Sequence, residues 1–376
     1  MNRKITAHYT LVGGQLRSNI VVEVDSSRRI VSVVESEVID SMAGVEFYPG
    51  ILIPGMVNLH CHLELAYLRG AIEEQTGFAG FARAIGMVRD KFTIEERLHA
   101  ASVADSAMWQ EGIEAVLDIA NDDVVMPVKE RSKIEYRTLF ELFGLGCNSI
   151  TKHQEMAERY TNSSITPHST YSLQDQMFLS AASNNRSTIS IHMLESEAET
   201  ELYRGRGSLM EWYERMGWEC DFLHYGSPAQ RVVRSIEPSR NVVLVHGCRA
   251  TGEDVALISD HFKDNVTWAL CPESNRYISN DRPPVELLRK MGCRIGIGTD
   301  SLASARSLSL VDNLRLIDNV PLDEALTWAT KGGAEALGMD HLGEIAVGKR
   351  PGLVIIRDAD LHNLRLTPES RAERVV

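Results

Sequence analysis

The chain has 376 residues, 44% of them apolar, and a formal net charge of −13 at neutral pH. That length suits one large domain with an attachment, and the apolar share can bury a sizeable core. The acidic balance argues against nucleic acid as a partner, because phosphate backbones select basic surfaces.

In chain order, residues 1–53 read as short strands with turns. Asn19–Val24 and Ile30–Val34 alternate or run β-branched, and Gly13-Gly14 and Asp25-Ser26-Ser27 break them. The opening MNRKITAHYTLVGG lacks the apolar region of a signal peptide, and no segment approaches about 18 uninterrupted apolar residues, so no membrane span is expected. Residues 343–361, GEIAVGKRPGLVIIRDADL, hold two more strand-like pieces around a turn. The two termini, 1–53 and 343–376, are therefore expected to meet in one small composite β-sandwich domain.

Residues 54–342 have a different rhythm, with β-branched runs alternating with helical patterns. The runs fall at 56–62, 113–120, 136–144, 164–169, 187–193, 241–247, 266–272 and 294–300. Between them, Ile94 to Gln110 carries a stripe of Ile94, Leu98, Ala101, Ala104, Ala107 and Met108. The last helix starts near Pro321-Leu322-Asp323-Glu324 and ends at Gly338. Eight such units predict an α/β fold, a (β/α)8 TIM barrel.

The first run ends His60-Cys61-His62. Side chains alternate along a strand, so both imidazoles share one face and Cys61 takes the other. The same alternation puts Met56 and Asn58 with the histidines, and Val57 and Leu59 with Cys61 against the helices. Barrel active sites form at the C-terminal ends of strands. There the other runs place His168, His192, His246 and Asp300, with Glu195 three residues past His192 and with Gly296 and Gly298 leaving room beside Asp300. Three neutral imidazoles and a carboxylate suit Zn²⁺ or Fe²⁺, whereas an oxygen-only shell would suit Mg²⁺ or Ca²⁺. Read singly, His168 or His246 is an ordinary hydrogen-bonded strand end. The six cysteines form no C-x-x-C pair; Cys61 and Cys271 read as packing residues, and a reducing cytoplasm fits them.

Taken together, Pro54-Gly55-Met56-Val57-Asn58-x-His60-x-His62, His192-x-x-Glu195, His246, 271-CPESN-275, 298-GTDS-301 and 343-GEIAVGKRPGLVI-355 resemble the metal-dependent amidohydrolase superfamily over nearly the whole chain. The likeness is to the group of cytosine, guanine and S-adenosylhomocysteine-type deaminases and triazine hydrolases. It implies that His60, His62, His192 and Asp300 ligate one divalent metal that activates a water, with Asp300 accepting a proton. It also implies that Glu195 carries a proton to a ring nitrogen and that His246 orients the water or stabilises the tetrahedral centre. The fourth strand ends 166-TPHST-170, without the lysine of binuclear relatives, so one metal is expected. The H-x-E…P-C-x-x-C signature of the separate cytidine-deaminase fold is absent.

His62-Leu63-Glu64-Leu65 resembles the aminodeoxyfutalosine deaminase branch, and 167-PHSTYS-172 resembles a substrate-binding stretch of nucleoside deaminases. The loop after His62 lacks the tryptophan of S-adenosylhomocysteine-type enzymes, and Arg350-Pro351-Gly352-Leu353 stands where Ala-Asp-Leu is usual. Candidate substrate contacts are Glu64, Arg69, His168, Tyr171, Ser274, Asn275 and Arg276. Trp212, Tyr213 and Trp218 either cap the barrel mouth or pack within their own helices. The expected function is deamination of an aminated N-heterocycle or adenine-type nucleoside, a small-molecule substrate. The alternatives are hydrolysis of a cyclic amide or of a chloro- or alkylamino-heterocycle, and an inactive barrel with a structural role. The resemblance further implies a homodimer.

Overall fold

The computed structural model describes residues 2–36 and 44–376. Five N-terminal strands, β1 (Arg3–Val12), β2 (Gln15–Arg17), β3 (Ile20–Val24), β4 (Ile30–Glu35) and β5 (Val45–Pro54), share one seven-stranded sheet with β14 (Leu353–Arg357) and β15 (Arg371–Arg374). The order is β15-β14-β5-β1-β3-β4, with β2 paired to β1. Ile5, Ala7, Val22, Val24, Leu52, Leu353 and Ile355 form a small core on one face, joined by Ile345. Leu11, Ile51, Ile53, Val354 and Ile356 pack instead into the large cluster around the barrel.

One C-terminal expectation is corrected here. Only one strand forms within residues 343–361, and the second pairing segment is β15, further on. Gly343 and Gly348 take φ of 79° and 91°, which breaks extension between them. Ile345 is nonetheless buried in the core.

The barrel strands are β6 (Met56–Cys61), β7 (Ile113–Ala120), β8 (Glu135–Leu142), β9 (Ser163–Pro167), β10 (Ile189–Met193), β11 (Val242–His246), β12 (Val266–Leu270) and β13 (Ile295–Ile297). All eight expected runs are present. Their parallel pairings make two four-stranded halves, β6–β9 and β10–β13. Two parallel bridges join the halves, Cys61 to Asp300 and Ser169 to His192. At one seam the Thr299 and Asp300 amides both donate to the His60 carbonyl, at 2.9 and 3.0 Å; at the other the His192 amide donates to the His168 carbonyl at 2.9 Å.

Strict alternation fails in β6. Val57 and Leu59 cluster with Ala115, Leu117, Leu139, Val243, Val245, Ala269 and Cys271, residues drawn from around the ring, which is the barrel interior. Met56 and Cys61 lie in the outer cluster with the helices. The β6–β7 ladder shifts register between Asn58 and Cys61, so Leu59 and His60 are not separated by the usual reversal. The Asn58 side chain occupies the irregularity: its Oδ1 accepts from the His60 and Thr299 amides and its Nδ2 donates to Thr299 Oγ1 at 2.8 Å.

The helix Ile94–Gln110 has the expected limits, set at its start by a capping box between Thr93 and Glu96. Its buried stripe is narrower than expected, since Ala101, Ala104 and Met108 are buried while Ile94 is 57% exposed.

Gly298 lies where β13 presses on β6. A Cβ there would stand 2.8 Å from His60 Cβ and 2.9 Å from Cys271 Sγ. Room beside Asp300 is thus room for the neighbouring backbone. Gly298→Ala should cost about 1–3 kcal/mol of stability by overpacking. Urea denaturation checks this, and a midpoint equal to wild type would refute the tight seam.

Candidate metal centre and active site

The four side chains that the seams bring to the barrel mouth converge on one point. His192 Nε2 is 3.1 Å from His60 Nε2 and 3.4 Å from His62 Nε2. Asp300 Oδ1 is 3.9 Å from His60 Nε2 and 3.7 Å from His62 Nε2. Tetrahedral ligands about 2.0–2.1 Å from zinc stand roughly 3.4 Å apart, so these atoms fit one ion.

The surrounding bonds leave the correct lone pairs facing inward. His192 Nδ1 lies 2.8 Å from the His168 carbonyl, which can only accept, so Nδ1 carries the proton and Nε2 is free. Asp300 Oδ2 accepts from Ser274 Oγ at 2.6 Å and Ser304 Oγ at 3.1 Å, which points Oδ1 at the histidines. Burial, and then repulsion from neighbouring imidazoles, holds His60 and His192 well below the usual histidine range, so both are neutral and able to ligate. Burial also pushes His62 down, but Glu141, Asp300, Glu64 and Asp118 outweigh it and raise its pKa overall. A proton therefore competes for His62 more strongly than for the other two imidazoles. The turn after His62 is held from behind, where Asp118 accepts the Leu63 amide at 2.8 Å and pairs with the buried Lys129.

His246, with φ 73°, and Asp300, with φ 59°, are among the residues that adopt left-handed backbone. For His246 this matters directly. Val243 and Val245 are interior residues, so alternation alone would send His246 outward. The left-handed turn brings it instead to the cavity wall. Asn275 Nδ2 donates to its Nδ1 at 3.0 Å, leaving Nε2–H as a buried donor with no protein partner. Burial lowers its pKa to about 4.

Glu195 is 3.7 Å from His246 Nε2 and accepts from the Tyr171 hydroxyl at 3.2 Å. Burial and the nearby Asp300 raise its pKa to about 8, so it holds a proton at neutral pH. Glu199 accepts the Glu195 backbone amide at 3.0 Å and the Thr170 hydroxyl.

A cavity of about 280 Å³ opens above these groups. His168 and Tyr171 line it, as do Trp212, Tyr213 and Trp218, which also pack on one another. Both readings of those aromatics hold. His168 stacks on His192 with centroids 4.6 Å apart, and burial drives its pKa to about 3.

The other expected contacts sit elsewhere. Glu64 is buried behind the wall, where its carboxylate accepts the Asn121 and Asp122 amides. Arg69 is exposed and off the cavity. Ser274 and Asn275 act on Asp300 and His246 rather than on the cavity. Arg276 lines a separate cavity beside Arg282 and Arg289. Proximity to the motifs in sequence misplaced Ser274, Asn275 and Arg276, because helix Pro272–Ser279 begins immediately after β12 and turns successive side chains in different directions.

Glu141 and Asn121 line the cavity and were not anticipated. The signal for Glu141 was visible, a lone carboxylate in the apolar strand 136-YRTLFELFG-144. Its Oε1 accepts from Asn121 at 2.6 Å, and its buried Oε2 has no partner.

A sequence model of the amidohydrolase family matches residues 51–370. The chain belongs to this family. This amidohydrolase is a metal-dependent hydrolase. It is 24% identical over 348 residues to a 5-methylthioadenosine/S-adenosylhomocysteine deaminase of Bacillus cereus, covering 85% of this chain and 75% of that one. Its fold is similar to that of Helicobacter pylori aminofutalosine deaminase in complex with methylthio-coformycin, with a TM-score of 0.81, 24% identity, and 94% and 92% of the two chains covered. It is also similar to atrazine chlorohydrolase from Arthrobacter aurescens complexed with zinc, with a TM-score of 0.74, 18% identity, and 95% and 88% covered. No helix among the described residues of this amidohydrolase is long and apolar enough to cross a membrane.

His62→Ala should lose bound metal, and Ser274→Ala should weaken metal binding by roughly 10–100-fold by freeing the Asp300 carboxylate to rotate. Chelator competition on folded protein reads both. Unchanged metal content in His62→Ala would mean the ligand set is wrong.

Proposed function

We propose that this amidohydrolase deaminates an aminated N-heterocycle, of the adenine-type nucleoside class, with one zinc ion held by His60, His62, His192 and Asp300. The observation that carries this reading is the convergence of three imidazole nitrogens and one carboxylate oxygen beside Glu195, whose pKa burial raises to about 8. A divalent ion bound there lowers the pKa of water toward neutrality. Asp300 Oδ1 faces the same point and can take the proton of the attacking water. Glu195 can give its proton to a ring nitrogen, which makes the adjacent amino-bearing carbon electrophilic. His246, with Nε2–H directed into the cavity, stabilises charge developing at the attacked carbon. Aromatic walls suit a flat ring. The names of the relatives support an amino group on a purine as the leaving group's source.

Zinc is favoured over iron by the bound ion of the chlorohydrolase. That relative also supports a second reading, in which the group displaced from the heterocycle is chloride rather than ammonia. An inactive barrel is disfavoured because every ligand position is filled. We assign residues 1–53 with 343–376 to one domain and 54–342 to the other, in line with the pairing of β5 with β14. Six free thiols support a cytoplasmic setting, and the family resemblance a homodimer.

Zinc-, iron- and manganese-loaded protein should release ammonia from one or more members of a panel of aminated purines, nucleosides, pterins, pyrimidines and triazines. Chloride release without ammonia would select the second reading. Glu195→Gln should retain metal and lose turnover by about 10²–10⁴-fold, because the amide keeps the shape but cannot carry the proton; full activity would sink the mechanism. If Glu195 must be protonated, kcat/KM falls as pH rises through about 8. A profile flat across that range would contradict its role as the acid.

A further inference from the structure

The helix Pro272–Ser279 has two faces in use. On one, Ser274 donates to Asp300 Oδ2 at 2.6 Å and Asn275 donates to His246 Nδ1 at 3.0 Å. On another, Pro272 and Arg276, four residues apart, line a second cavity of about 480 Å³. This cavity shares no described lining residue with the one at the barrel mouth. Its apolar wall comes from Pro283, Val285, Leu316, Ile317 and Val320.

Its charged wall holds three arginines, Arg276, Arg282 and Arg289, against two carboxylates, Glu286 and Asp318. In a chain with 52 acidic residues and 39 basic ones, that is a local reversal of sign. Arg289 is held by Glu324 through two hydrogen bonds. Arg282 pairs with Asp318 at 2.6 Å, and both side chains are exposed, so this pair contributes little and exchanges readily. Arg276 is half-buried, and its guanidinium makes no hydrogen bond or ion pair with any described residue. One guanidinium fork is therefore open beside an apolar wall. A carboxylate carries a single charge and two coplanar oxygens that match the fork. A phosphate dianion would meet Glu286 and Asp318 with one free arginine to offset them.

We propose that this second cavity is an effector site. It takes a small carboxylic acid with an apolar body, whose carboxylate bonds to Arg276, and its occupancy shifts zinc affinity through the helix Pro272–Ser279. A ligand that draws on Arg276 acts on the same short helix that holds Asp300 and His246, which is a contiguous physical route between the two sites. The inference does not rest on which group the metal centre removes.

The probes are 2-naphthoate, its neutral analogue 2-naphthamide, and inorganic phosphate, titrated by calorimetry into metal-free protein so that no zinc can capture the carboxylate. Naphthoate should bind at least about tenfold more tightly than naphthamide. Arg276→Gln should erase that difference, and Arg276→Lys should restore part of it by returning charge without the fork. Equal affinities in wild type, or a gap that survives Arg276→Gln, overturns the site, the latter by placing the ligand elsewhere. Tighter binding of phosphate overturns the ligand class. Loss of binding as protein concentration rises assigns the cavity to a second copy of the chain and overturns the proposal as well. Saturating naphthoate should then change zinc affinity, read by chelator competition, by about fivefold or more, and zinc should change naphthoate affinity by the same factor. That shift should vanish in Arg276→Gln. Zinc affinity that is equal with and without naphthoate, or a shift that persists in Arg276→Gln, overturns the effector role.

Discussion

Closing the barrel is the constraint on which the site depends. The two half-barrels meet at β13–β6 and at β9–β10, and the closing backbone bonds come from His60, Asp300, His168 and His192. The side chains of these same residues form the cluster at the mouth. The geometry of the candidate metal centre is therefore a by-product of how the ring closes. A carbonyl at 2.9 Å that pins His192 to His168 fixes backbone and imidazole together. Any shift of one half against the other would separate Nε2 atoms that now lie 3.1–3.4 Å apart.

Electrostatics complete what closure begins. Burial keeps His60, His192, His168 and His246 neutral, so lone pairs and N–H groups are available at neutral pH. Burial also raises Glu195 and Glu199 to about 8 and Glu64 to about 7. Only a group used as an acid needs that shift, and Glu195 is the one of these three on the cavity wall. Glu199 holds the Glu195 backbone, and Glu64 holds the strand end beside Asn121. One physical effect thus supports a catalytic role in one carboxyl and positioning roles in two others, with hydrogen bonds deciding between them.

Much of this was legible in residue order. Eight β-branched runs marked the strands, and His60, His62, His192 and Asp300 stood at ends that parallel strands must align. Alternation correctly sent Ile189 and Ile191 outward and His192 inward. It failed in β6, where a register shift puts Leu59 and His60 both toward the interior, and it has no means of anticipating the left-handed backbone at His246. It also could not place Glu64, which stays off the cavity although its neighbour Leu65 lines it, or Arg276, which lines a separate cavity.

The chain by itself determined the barrel and the order of the strand-end histidines and aspartate of the candidate metal centre, because period-two hydrophobicity and strand-end polarity are local properties. It also determined that the termini would pair, since both carry strand-forming runs. Only the tertiary structure decided which groups face the cavity. The helix Phe78–Val88 with Arg89 at its end and the unpartnered Glu141 oxygen meet on one cavity wall from segments more than fifty residues apart. Distances of that kind follow from ring closure and packing, and no local pattern encodes them.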